Sequence, residues 1–308
     1  MTEPLGVLVM AYGTPRRLQD VEAYYTHIRR GRKPTPELLA DLIRRYEAIG
    51  GVSPLNEITQ RQAEGLADWL NRDGGRPCKV YLGMKHTAPF IGDIVRKMTD
   101  DGIREAVTLV LAPHYSSMSV ATYQRAADEA AAGTNLRLWH VDSWHLHPRF
   151  LNVLTERVRT AVDAHGNADS VTVLFTAHSL PERILKFGDP YPQQLRETGL
   201  AVAEKLNLPH IDFAWQSAGR TNERWLGPDI LEKLRALRAA GHRNVVVCAA
   251  GFVSDHLEVL YDIDIEAQAV ARELGLRLTR TPSLNDDPEF LRALAEVVRQ
   301  RAAAMNHA

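Results

Sequence analysis

Cysteine is nearly absent from this chain: Cys78 and Cys248 are the only two in 308 residues, far apart and in no CxxC pair. That excludes a disulfide framework and leaves too few thiolates for a cysteine-held cluster. Charge of one dominant sign is missing as well. The formal net charge is -1, so no overall field points to nucleic acid or to a membrane surface. No apolar run approaches membrane length. The opening MTEPLGVLVMAYGTP has neither a basic leader nor an apolar stretch long enough for a signal sequence. A cytoplasmic chain without a stable membrane anchor is therefore expected. No GxGxxG follows the first apolar run and no GxxxxGKS or GxxxxGKT occurs, which weakens dinucleotide and P-loop readings.

What is present is regular. Apolar runs rich in Val, Leu and Ile alternate with helical patterns from end to end. The expected strands are 5–13, 78–86, 106–114 and 136–143, then 171–179, 211–217, 244–252 and 276–282. Expected helices include APFIGDIVRKMTDDG, PDILEKLRALRAAG, DPEFLRALAEVVRQRAA and the segment 252–275. The strands are almost continuously apolar, as in parallel sheets covered on both faces. Four strands followed by four strands predict an α/β fold of two similar Rossmann-like domains, each a four-stranded parallel sheet flanked by helices. The expected boundaries are 1–143 and 144–286. A helical insertion at about 18–72 belongs to the first domain, and a C-terminal helix at 287–303 returns to it.

Ligands of open α/β sheets sit beyond the carboxyl ends of the strands. Those ends carry Tyr12, Lys85 with His86, His114, His178 with Ser179, Gln216 with Ser217, and Phe252 leading to Asp255. His178, closing VTVLFTAHS, suits metal binding or proton transfer, or else a hydrogen-bonded core position. Glu258, delivered from a matching strand end, makes with it an incomplete site for a divalent first-row metal. Glu258, Asp262 and Glu266 recur four residues apart, which puts three repelling carboxylates on one helical stripe. Such a ladder can pass a hydrated cation inward or protons outward; a solvated helix face is the plain alternative. Asp255 reads as an N-cap with Glu258 three residues later. His140, His145 and His147 read as surface or packing residues, and Cys248 as core. The insertion holds Arg29, Arg30, Arg32, Lys33, Arg44, Arg45 and Tyr46, and arginine suits bidentate carboxylate binding. Trp225 and Tyr123 offer flat surface to a conjugated ligand.

Several long motifs in order carry a resemblance over essentially the whole chain: VMAYGTP, YYTHIRRGRKP, RYEAIGGVSPL, APHYSSMSVATYQ, TAHSLPERILKFGDPYPQQL, WQSAGRTNERWLGPD and GFVSDHLEVLYD. Together they resemble the ferrochelatases, which insert iron into porphyrin, and most of all the soluble bacterial coproporphyrin III ferrochelatases. The resemblance implies a class II chelatase-like fold with a porphyrin cleft between domains, a monomer, and Fe²⁺ as substrate. It implies that His178 and Glu258 face the incoming metal and that Tyr12 can ligate product iron from the opposite side. Arg29, Arg45, Tyr46, Ser53 and Tyr123 match porphyrin-contacting positions; Arg30, Lys85, His86 and Trp225 join them as cleft residues. Asp262 and Glu266 become an outer station able to hold a second divalent ion such as Mg²⁺, on a helix with a π-turn. No iron–sulfur cluster is expected, and transient contacts with an iron donor or a product-accepting enzyme are.

Overall fold

The eight apolar runs become eight strands in two parallel sheets, in a computed structural model that describes residues 3–72 and 74–305. In the first half, β1 (Leu5–Ala11) is followed by α1 (Val21–Ile28), α2 (Pro36–Ala48) and α3 (Leu55–Asn71). Next come β2 (Cys78–Met84), α4 (Ile91–Asp100), β3 (Glu105–Val110), α5 (Val120–Ala131) and β4 (Arg137–His140). The second half runs α6 (Pro148–Asp163), β5 (Val171–His178), α7 (Tyr191–Leu206), β6 (Ile211–Gln216), α8 (Ile230–Ala239) and β7 (Asn244–Cys248). A π-helix (Val259–Ala267) continues as α9 (Gln268–Leu274), and β8 (Arg277–Arg280) and α10 (Pro288–Met305) follow. The first sheet has the order β2-β1-β3-β4 and the second repeats it as β6-β5-β7-β8. This is the fold class expected from the alternation of runs.

In both sheets the strand order reverses beside the first strand, so a crevice opens at the carboxyl ends of β1 and β3 and of β5 and β7. Tyr12 and His114 follow the first pair; His178 and the loop before Glu258 follow the second. All seven residues of β1 are buried, as a two-face-covered strand requires. One apolar core continues from Val7, Val9 and Val107 of the first sheet to Val173, Phe175 and Val246 of the second. Phe150, Leu154 and Val158 of α6 and Phe290, Leu294 and Val298 of α10 fill the space between. The two halves thus share packing as well as a connection. Further clusters cover the outer faces of each sheet.

The strands stop two to four residues short of most of the expected ends. The chain must leave the sheet to present its side chains: Gly13 turns with φ +81° and Ser217 with φ +61°. A side chain at Gly13 would place its Cβ 2.3 Å from Thr87 Oγ1, so only glycine fits this turn. The helix expected from Phe252 begins only at Leu257, because the preceding residues are held elsewhere. Asp255 is not an N-cap. Its carboxylate accepts from Ser283 Oγ at 2.7 Å and Asn285 Nδ2 at 3.0 Å, and pairs with Arg280 at 3.2 Å.

Gly251 brings that loop against β5: its N–H donates to Thr176 O at 3.0 Å, and an added Cβ would lie 2.4 Å from Ala177 Cβ and 2.8 Å from Ala177 Cα. Gly251→Ala should therefore force β5 and the loop apart and destabilise the protein by about 1–3 kcal/mol. A lowered urea midpoint is the expected reading; an unchanged midpoint would mean the close approach is not a constraint.

Candidate active site

One large cleft, about 1220 Å³, lies where the carboxyl ends of the two sheets face each other. Its volume exceeds that of common drug-sized pockets and suits a large planar ligand. Of the residues singled out in the sequence, Tyr12, Arg30, Arg45, Tyr46, Ser53, Lys85, His86, Tyr123, His178, Trp225 and Glu258 line it. Arg29, Asp262 and Glu266 do not. Arg29 turns away to Arg32 O at 3.3 Å and to the Tyr25 ring. Ser179, Gln216 and Asp255, also named at the strand ends, lie outside the lining, whereas His114, Ser217 and Phe252 belong to it.

His178 and Glu258 meet at one wall, with Nε2 of the imidazole 3.4 Å from Oε1 of the carboxylate. The Nδ1–H of His178 donates to the carbonyl of the next residue, Ser179, which turns Nε2 toward the cleft. The second oxygen of Glu258 lies 3.4 Å from Nε2 of His256, whose Nδ1 bonds Ser254 O at 2.9 Å. Glu258 is therefore flanked by two imidazoles oriented by backbone carbonyls. Burial alone would raise its pKa, but the charge and hydrogen bonds of His178 and His256 hold it well below the usual carboxylate range. The same pairing acts on His178 in reverse. Burial pulls its pKa down, and Glu258 outweighs that and raises it.

Asp262 sits behind this wall, buried beside Ser217 and Arg45. It accepts from Ser217 Oγ, and Arg45 Nη1 reaches it at 3.3 Å from α2. Burial and the neighbouring charge of Glu258 push its pKa up to about 7, despite Ser217 and Arg45. Arg45 also lies 3.3 Å from Asp41, which Arg220 approaches at 2.6 Å. Two ion pairs thus cross the cleft at this end. Glu266 belongs to the same charged group; its pKa is raised by burial, with Arg45 opposing and Asp229 and Asp41 adding. Beyond the opposite wall, Asp189 accepts from Ser116 Oγ and from the N–H and Oγ of Ser117 at 2.7–3.0 Å, a second fastening between the halves.

Facing Glu258, Tyr12 packs its ring against His86, with centroids 4.5 Å apart. Its pKa is raised well above the ordinary phenol value by burial first and then by Glu258. Lys85 donates to Thr122 Oγ1 at 2.7 Å and lies over the Tyr123 ring; burial, then Arg30, lowers it to about 8. His86 falls to about 3 through burial, Lys85 and His27. Tyr46 OH shares a 2.9 Å hydrogen bond with Thr14 Oγ1. One wall therefore offers a carboxylate and imidazoles to a cation, and the other offers aromatic surface and cations to an anionic ring system.

The family model described as Ferrochelatase matches residues 4–302. The chain belongs to the ferrochelatase family. It is 49% identical to a coproporphyrin III ferrochelatase of Anoxybacillus flavithermus, over 96% of this chain and 95% of that one. A second relative of the same description, from a Geobacillus species, is 48% identical over 96% of this chain and 97% of its own. A protein described as ferrochelatase from Herpetosiphon aurantiacus is 45% identical over 97% and 99%. Among solved structures, SirB from Bacillus subtilis with Fe³⁺ aligns over 99% of this chain and 98% of its own, with a TM-score of 0.64 and 10% identity. CbiX aligns with a TM-score of 0.54 and 14% identity over 96% and 98%. At that identity the two structures speak for the fold alone.

In this ferrochelatase the sequence reading missed cleft residues of the second half. Arg183 of PERIL and Arg220 of SAGR lie inside quoted motifs, yet nothing in a single sequence marks them as facing inward. His256, between Asp255 and Glu258, has no role in the sequence reading. Of the histidines read as surface or packing residues, His140 bonds Asp128 and Thr108 and His145 bonds Glu197, whereas His147 lies 3.8 Å from Glu296 with its Nδ1 buried and unbonded.

The raised pKa of Asp262 sets a pH dependence. Its folded value, about 7, stands above the ordinary aspartate value of 3.8, so between those values the folded chain binds the extra proton. Stability from this group is present at low pH and is lost as pH rises through the folded value. Asp262→Asn removes that loss. The variant should gain stability relative to the parent as pH goes from 5 to 8, read as the difference in urea midpoint; a pH-independent difference would mean Asp262 is ionised throughout.

Proposed function

We propose that this ferrochelatase inserts Fe²⁺ into coproporphyrin III, giving the iron porphyrin and two protons. The observation that carries the reading is the pairing of His178 and Glu258 at one wall of a cleft large enough for a macrocycle. The relatives described as coproporphyrin III ferrochelatases, alike along nearly their whole length, support the substrate. Fe²⁺ is the family's metal substrate. Two donors suit a metal that must be handed on, since a resident site closes around its ion with more.

In this reading Glu258 is anionic before the metal arrives and His178 shares a proton with it. An approaching dication replaces the imidazolium as the counter-charge of Glu258, and the proton held by His178 passes to water in the cleft, as does each proton His178 later takes up. Its Nε2 then takes a pyrrole proton as the metal–nitrogen bonds form. Across two such transfers the macrocycle loses two N–H protons and the product gains the metal's two charges, so charge balances. Tyr12, on the opposite wall, is assigned the axial position on product iron. Arg30, Arg45, Tyr46, Ser53, Lys85, His86, Tyr123 and Trp225 are assigned to the porphyrin, and Arg29 to its carboxylates only if the turn after α1 rearranges.

The acids beyond Glu258 do not fit a resident Mg²⁺ as they stand. Both oxygens of Asp262 are engaged, by Ser217 and by Arg45. Among the described residues no group of three or more His, Cys, Asp or Glu is placed to hold a metal. We assign Asp262 and Glu266 instead to carrying protons outward, for which Asp262, titrating near neutrality, is suited. An iron–sulfur cluster is not part of the reading, because Cys78 lies at the start of β2 and Cys248 is buried in β7. A cytoplasmic monomer that meets an iron donor and a product acceptor transiently completes it; no helix among the described residues is long and apolar enough to cross a membrane.

Two measurements test this. His178→Ala and Glu258→Gln should each lower Fe²⁺ insertion by about 100-fold or more while leaving porphyrin affinity within about twofold. Near-parental turnover by either would remove that residue from the chemistry. In detergent-free buffer, kcat/KM should favour coproporphyrin III over protoporphyrin IX by about tenfold or more, since two further carboxylates each add charge-assisted hydrogen bonds. A preference for protoporphyrin IX would overturn the substrate assignment.

A further inference from the structure

Six arginine and lysine side chains line the cleft: Arg30, Arg45, Lys85, Arg125, Arg183 and Arg220. They divide by what already balances them. Arg45 lies between Asp41 and Asp262, Arg220 meets Asp41, and Arg183 meets Glu223. Among the described residues no acidic partner is recorded for Arg30, Lys85 or Arg125. Those three occupy one side. Lys85 bonds Thr122 on α5, and Arg125 stands three residues further along that helix, on the same face. Arg30 is close enough to Lys85 to help lower its pKa to about 8, as like charges without a counter-ion do. Arg30 also adopts a left-handed backbone at φ +56°, at the end of α1, a position that favours glycine. A large cation at a glycine-like position implies a use for its side chain.

We propose that Arg125 is a specificity-determining residue of this cleft, binding a carboxylate of the porphyrin together with Arg30 and Lys85. The inference deepens the proposed function and rests on its reading of the substrate as a carboxylated porphyrin. An anion gains more from cations with no acid beside them, because a cation already paired must first give up its partner. The three unpaired cations therefore hold one carboxylate edge of the macrocycle, and Arg45, Arg183 and Arg220 contribute less than their position suggests. Nothing in the sequence marked Arg125; it is the exposed residue that follows Tyr123 and Gln124 on α5.

The test is binding of metal-free porphyrin followed by fluorescence, with turnover measured separately. Arg125→Ala should weaken coproporphyrin III binding by about three- to tenfold, the worth of one partly exposed charge-assisted contact, with kcat unchanged. Arg125→Lys should recover most of the loss, and Arg183→Ala should do less damage than Arg125→Ala. The tetramethyl ester of the same porphyrin, in detergent, should bind parent and Arg125→Ala alike. Equal weakening of acid and ester would make Arg125 structural and overturn the inference. So would an unchanged affinity for the acid, or a larger effect from Arg183→Ala. A parent protein that does not bind coproporphyrin III would instead bring down the proposed substrate itself, whatever Arg125 does.

Discussion

A carboxylate deep in a protein cleft stays ionised only if positive or hydrogen-donating groups stand within reach, and Glu258 depends on two imidazoles for this. That requirement organises the second half of the molecule. His178 is fixed by the end of β5 and by its bond to the Ser179 carbonyl. His256 is fixed through the Ser254 carbonyl, and Ser254 Oγ in turn takes a 2.9 Å bond from Gln62 on α3 of the first half. Behind them Arg280 clamps Asp264 and Asp255, so the loop ahead of Glu258 cannot drift. The π-helix over Val259–Ala267 then carries the acidic stripe away from the cleft. Such a helix is rare, and where it occurs it commonly serves a site rather than stability.

The charges of the cleft are separated by wall, and the separation follows the chain. Glu258 and its two flanking imidazoles, His178 and His256, come from the second half; the unpaired cations Arg30, Lys85 and Arg125 come from the first half and its insertion. A cation approaching from outside is drawn to Glu258, and an anionic ring edge to Arg30, Lys85 and Arg125. Where the two sets meet, at Arg45, Asp41, Asp262 and Arg220, they neutralise one another across the cleft. Net charge near zero for the whole chain conceals this pattern completely.

The parts of the molecule governed by local periodicity could be read from the residues. Eight apolar runs gave the strands and their alternation with helices gave parallel sheets, because burial on both faces writes itself into consecutive positions. Strand ends were overextended, since Val-rich runs continue past the last partnered residue and only Gly13 or Ser217 in a left-handed turn ends them. Asp255 followed by Glu258 looks like a capping box from sequence; its partners Arg280, Ser283 and Asn285 lie more than 20 residues on. Arg45 and Asp262 are 217 residues apart and nothing local announces their pairing. The convergence of His178 and Glu258 was foreseen only because both follow strands flanking one switch point. Arg125 carried no signal at all, because an exposed arginine on an amphipathic helix is ordinary until its neighbours are known.

The shared core limits how a macrocycle can enter. Moving one sheet against the other would expose Phe150, Leu154, Phe290 and Leu294, each fully or almost fully buried. At about 1.5–3 kcal/mol for a large buried side chain, those four alone approach the stability of an ordinary domain. The insertion is held far more lightly. α1 fully buries only Val21 and α2 only Tyr46, and α2 is tied to the second half by the two ion pairs at Asp41 and Asp262 and by Arg45 lying over the Tyr261 ring. The Arg220–Asp41 pair, half-exposed at its arginine, costs little to break and re-form, and parting Arg45 from the buried Asp262 still exposes far less apolar surface than parting the sheets. The low-cost route into the cleft therefore runs past α1 and α2, the helices that carry Arg45 and lead into Arg30. An anionic substrate entering there meets Arg45 while Asp262 and Asp41 still hold it, and the unpaired cations Lys85, just after β2, and Arg125, on α5, line the same cleft.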